Sequence, residues 1–102
     1  MFSIDFLLSC IGDSYSELKT NHLFLACLED ANETKLTVGG EEKQRKPSQI
    51  ISLGASNARS LLLHTRPIVS TVFRGVGINQ YLPVRERLVS LLDQLIFECQ
   101  ES

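Results

Sequence analysis

The chain predicts an α+β fold, a small two-layer domain with about three antiparallel strands backed by two main helices, residues 48–64 and 83–100, and a short N-terminal helix. Three observations carry this reading. Residues 48–64 and 83–100 repeat apolar side chains at three- and four-residue steps, the spacing of one helix face. Residues 34–38 alternate polar and apolar side chains up to Gly39-Gly40, and residues 68–73 are dense in β-branched side chains; both patterns belong to strands. Turn-forming residues separate these stretches.

Residues 3–11 form a short helix stopped by Gly12. The continuous apolar run 23–28 has two readings. It can pair with 34–38 as a hairpin through Asp30-Ala31-Asn32-Glu33, or it can end a helix capped near Ser14 with Glu17 three residues on. Periodicity alone does not separate them; the turn residues, and the coherence of a three-stranded sheet, favour the hairpin. If residues 13–31 are one long helix, the fold becomes an all-α bundle. Residues 39–47, polar throughout, read as a flexible loop.

In 48–64, Ile50, Leu53, Ala58, Leu61 and Leu62 share an arc with Gly54 and Ala55, and Gly54 lets another backbone come close. The opposite side carries Ser52, Ser56, Arg59 and Ser60, with Leu63 as an intruder. Pro67 stops this helix. The strand at 68–73 is closed by Gly75 and Gly77. Pro83 suits the first turn of the last helix. There Val84, Leu88, Leu91, Leu92, Leu95 and Cys99 form one stripe, which Val89 and Ile96 widen to roughly 160°. Phe97 stands on the other side among Glu86, Ser90, Asp93 and Glu101.

With 102 residues, 43% hydrophobic and 22% charged, the chain has the size and composition of one ordered domain. Opening on an ordinary Met1 without a tag, it reads as a complete short product. The apolar start is interrupted by Asp5 and preceded by no cation, unlike a signal peptide. No stretch reaches the roughly 20 apolar residues of a membrane span. Cys10, Cys27 and Cys99, odd in number and irregularly spaced, read as buried, inert thiols of a cytoplasmic protein.

The net charge of −2 hides an asymmetry. Residues 1–42 carry eight acids against Lys19 and Lys35, a sum of −6, whereas residues 43–85 contain no acid but hold Lys43, Arg45, Lys46, Arg59, Arg66, Arg74 and Arg85. Such a block points either to an anionic partner or to an internal or intersubunit match with the acidic part.

Leu53-Gly54-Ala55-Ser56 resembles the turn of a helix-turn-helix, which would bring Asn57 and Arg59 to a major groove. Ser60 occupies the position where that motif buries a β-branched residue, and the same residues make a good uninterrupted helix, the favoured reading. Lys43, Arg45 and Lys46 would contact phosphates without reading sequence. Gly75-Val76-Gly77 lacks the third glycine of a nucleotide-binding turn. His22 and His64 have no companions at metal-ligand spacing. No nucleophile elbow, P-loop or paired carboxylates occur. A non-enzymatic regulator without cofactor or metal is expected. It would bind an anionic partner, nucleic acid first, through Lys43, Arg45, Lys46, Ser56, Asn57, Arg59, Arg66 and Arg74. It would form homodimers through Leu88, Val89, Leu92, Ile96 and Phe97. A protein-interaction module and a binder of a small phosphorylated ligand or nucleotide are the alternatives.

Overall fold

The computed structural model describes residues 1–64 and 78–100, with backbone alone for 78–82. These residues are mostly helical, with one two-stranded antiparallel sheet. Helix α1, Ile4–Ser9, starts where the Ser3 hydroxyl accepts the Phe6 N–H at 3.1 Å. Its stripe of Ile4, Leu7, Leu8 and Ile11 turns towards the core, with Leu7 and Ile11 buried. A single 3₁₀ turn, Asp13–Tyr15, leads into α2, Ser16–Lys19.

Helix α3, His22–Glu33, contains the apolar run 23–28, so the hairpin expected there is not formed. Asn21 decides the matter locally. Its side chain accepts the Phe24 N–H at 3.1 Å, capping a helix that begins one residue later. Leu23, Phe24, Cys27, Leu28 and Ala31 are buried at helical spacing, while Leu25 is half-buried and Ala26 exposed, so the run is continuous in sequence but not in burial. Asp30 to Glu33 are its last turn rather than a hairpin loop.

Strand β1, Leu36–Val38, lies where alternation placed one, but it pairs forward with β2, Glu41–Lys43. Leu36 faces Lys43 and Val38 faces Glu41, so Gly39-Gly40 is a two-residue turn. Both glycines have positive φ, 61° and 83°, the signature of a type I′ turn that matches strand twist. The segment 39–47 is therefore not loop throughout. β2 escapes sequence patterning because it is exposed on both faces and consists of Glu41, Glu42 and Lys43. The strand expected at 68–73 lies outside the described residues.

Helix α4, Pro47–His64, agrees with expectation to within a residue. Pro47 takes the first helical position, and the Gln49 side chain accepts the Lys46 N–H at 2.9 Å. Helix α5, Ile78–Gln100, begins five residues before the expected start and holds Pro83 in its interior. The proline nitrogen cannot donate to the Asn79 carbonyl; proline permits a helix start without requiring one. Residues 53–56 continue α4 without a break, so there is no helix-turn-helix at this place.

α4 is the central element. α3 packs antiparallel on one side, with Gly54 against Leu28, and α5 packs antiparallel on the other, with Arg59 joined to Asp93. Its buried residues, Ile50, Ile51, Gly54, Ala55, Ala58 and Leu62, are small in the middle and larger towards the ends. The small centre is what lets two helices approach it. An ideal Cβ on Gly54 would stand 3.0 Å from the Leu28 Cα, so the expected close backbone approach is real. Phe2 exchanges two hydrogen bonds with the Asn32 side chain, tying the N-terminus to the end of α3.

Candidate functional site

The cations of residues 43–46 do not form one surface. Lys43 projects from β2, while the Arg45 guanidinium donates to the Thr34 carbonyl at 2.5 Å and clips the hairpin base. Both line a cleft of about 390 Å³ with Asn32, Glu33, Lys35 and Glu42, where Lys35 and Glu42 pair at 3.1 Å. Two carboxylates in that cleft make its charge mixed rather than cationic. Lys46 turns away into a second cleft of about 480 Å³ lined by Cys10, Ile51, Leu95, Glu98 and Cys99.

The helix residues divide in the same way. Asn57 faces the α3 side, with Ser60, Leu23, Cys27 and Asp30 around a shallow cleft. Ser56 and Arg59 lie towards α5, since they share an arc of α4 with Ser52 and Leu63 at 100° per residue. Arg59 Nε donates to Asp93 Oδ1 at 2.5 Å, so this cation is engaged within the chain. Arg66 and Arg74 lie outside the described residues. The described part of the cationic block is thus spread over three surfaces.

The expected dimer surface is largely internal. Leu88 and Leu92 are 6% and 1% exposed, and Val89 and Ile96 are half-buried against the same core. The apolar arc is wide because α4 covers part of it and the N-terminal segment another. Tyr15 is buried, and burial first, then the hydrogen bond and charge of Glu98, push its hydroxyl up to about 12. Glu17 receives the Arg87 guanidinium in a two-pronged hydrogen bond, which holds its carboxyl below the usual range. Leu88 and Leu92 are therefore not available to a second copy without opening the domain.

Phe97 is different. It remains 61% exposed, four residues beyond Asp93 on the same face of α5. Leu63 is also exposed, at 37%, and lines a depression of about 240 Å³ with Glu86, Val89, Ser90 and Asp93. One outward face of the α4–α5 pair therefore gathers Ser56, Arg59, Leu63, Glu86, Asp93 and Phe97. It draws members from the anion-binding set and the interface set, which the sequence had kept apart. The intruding Leu63 was its visible signal in α4, and what spacing within one helix could not show was its placement beside α5.

Cys27 is buried as expected, but Cys10 is exposed and Cys99 half-buried. Cys10 caps the end of α1 and lies off the stripe formed by Leu7 and Ile11, on the exposed side. Among the described residues no polar or charged side chain is buried, and no group of three or more His, Cys, Asp or Glu could hold a metal ion. No helix among them is long and apolar enough to cross a membrane. Comparison with known proteins finds no matching family model, no matching curated protein and no matching solved structure.

Proposed function

We propose that the chain is a non-enzymatic protein-interaction module whose contact surface is the outward α4–α5 face. The observation that carries this reading is Phe97, 61% exposed beside the Arg59–Asp93 pair and in line with Leu63. An aromatic side chain with a neighbouring arginine and a polar surround is the usual composition of an energetic centre in protein interfaces. The described cations of the middle block lie on different surfaces, Lys43 and Arg45 in one cleft, Lys46 in another and Arg59 beside Asp93, which weakens the support for a single phosphate-tracking surface. A cytoplasmic location accompanies this proposal, as does the absence of a cofactor.

The test compares the parent with Phe97→Ser as baits in an extract of the source cells, alongside titration with duplex DNA and RNA at two salt concentrations. A partner retained by the parent and lost with Phe97→Ser, at unchanged thermal stability, supports the module. Steeply salt-dependent duplex binding, weakened by Lys43→Ala with Lys46→Ala and indifferent to Phe97→Ser, overturns it in favour of a nucleic-acid binder.

A further inference from the structure

We propose that Cys10 and Cys99 are a modification site, a thiol pair that a low-molecular-weight disulfide converts to an intramolecular disulfide joining α1 to the last turn of α5. The two residues stand at opposite ends of the sequence, yet both line the same cleft of about 480 Å³, with Lys46, Ile51 and Glu98. All three cysteines of the chain are thiols, and Cys27 lies elsewhere, buried between α3 and α4. Tyr15 agrees with this placement: it follows Cys10 by five residues and lies beside Glu98, which lines the same cleft. The chain leaving α1 is thus held against the end of α5 on both sides of Gly12.

The two thiols are unequal, which sets the order of events. Cys10 is exposed and caps a helix end, so it meets a soluble disulfide first. Burial, and then the neighbouring Glu98 carboxylate, push the Cys99 thiol up, so it holds its proton more firmly. The Cys10 thiolate attacks one sulfur of the reagent, the reagent's S–S bond breaks, and one reagent thiolate leaves. Cys99 then gives its proton to water and attacks the Cys10 sulfur, expelling the second reagent thiolate. Two protein thiols are oxidised by two electrons and one reagent disulfide is reduced to two thiols.

The experiment equilibrates the folded protein with glutathione disulfide and glutathione, quenches with acid and reads intact mass and non-reduced peptides. The expected product is a monomer lighter by two hydrogens, with the Cys10 and Cys99 peptides linked and Cys27 alkylated only after unfolding. Cys99→Ser should stop at one glutathione on Cys10, and Cys10→Ser should react far more slowly. Linkage should be favoured at least ~10-fold over the urea-unfolded chain, where closing a loop of nearly the whole chain is costly. The oxidised form should melt about 10 °C higher, because the bridge restricts the unfolded ensemble. A parent that keeps glutathione on Cys10 while Cys99 stays alkylatable overturns the proposal. So do disulfide-linked dimers, or bridges that include Cys27.

Discussion

The seam where α3 and α5 meet α4 and the hairpin from Leu36 to Lys43 are neighbours in sequence but are held by different forces. The seam is dry: Leu28, Ala55, Ala58 and Leu92 are at most 1% exposed, and helix backbones touch at Gly54. The hairpin keeps only Leu36 half-buried and otherwise relies on its ladder, its glycine turn, the Lys35–Glu42 pair and the Arg45 clip. Hydrophobic burial fixes the first, and local backbone preference the second. The charge pattern changes sign inside the second, at Glu42 and Lys43, where nothing is packed. Charges there can be rearranged at little cost to the fold, while the same change in the seam would unfold it.

The largest effect should come from Leu92→Ala. The side chain is 1% exposed within the common core, and truncation leaves a cavity there. A loss of about 2–5 kcal/mol is expected in urea unfolding, with the slope unchanged. A loss below about 1 kcal/mol would mean that the seam is loosely packed and that the contrast with the hairpin is weaker than drawn.

Gly54→Ala comes next and separates propensity from packing. In an isolated helix the change stabilises by about 1 kcal/mol. Here the new methyl would stand 3.0 Å from the Leu28 Cα and 3.3 Å from its Cδ1, so α3 must move away from α4. A net destabilisation of about 1–3 kcal/mol is expected from overpacking, read as a lower melting temperature. A stabilised variant would show that the two helices can part without loss.

Tyr15 extends the comparison to the N-terminal segment. With its hydroxyl raised from 10.0 to about 12, folded and unfolded chains are both protonated below pH 10, and its contribution is intact there. Between pH 10 and 12 the unfolded state gives up the proton while the folded state keeps it, so stability falls as pH rises. Tyr15→Phe should lose less stability than the parent over that window, although it is less stable at neutral pH for want of the Glu98 hydrogen bond. Equal slopes in the two alkaline titrations would mean that the Tyr15 hydroxyl is raised neither by burial nor by Glu98.

Legibility in the sequence followed the same division of forces. Helices α1 and α4, and α5 from Pro83 onward, were readable because each buries one side, and burial writes a period into the residues. The α3 run was ambiguous because Leu25 and Ala26 put apolar residues on its less covered side and so hide the period of the buried ones; Asn21, which decides it, is a single cap. β2 left no pattern because it buries nothing, yet Gly39-Gly40 between short segments is itself a hairpin signal. The stripe on α5 was read correctly, but its width alone could not tell a second copy from α4 and Tyr15. At the candidate surface, Phe97 was legible as the one aromatic on a polar side. Its company, Arg59 and Leu63, depended on the antiparallel packing of α4 and α5, which local spacing does not encode.

The smallest effect should come from Gly40→Ala, and its smallness is what makes it informative. At φ 83° an alanine is strained by about 1–2 kcal/mol, with open space around its methyl, so the cost is conformational alone. A two-stranded ribbon with little buried surface is marginal by itself, and this strain should be enough to open it locally. Amide exchange in β1 and β2 should therefore speed up, while the global unfolding free energy stays within about 0.5 kcal/mol of the parent, since α3 and α4 are capped independently by Asn21 and Gln49. A global loss as large as the local strain would mean that the hairpin and the seam unfold together. In that case the Arg45 clip to Thr34 transmits order from the turn to the end of α3, and the cations of residues 43–46 contribute to the fold as well as to its surface.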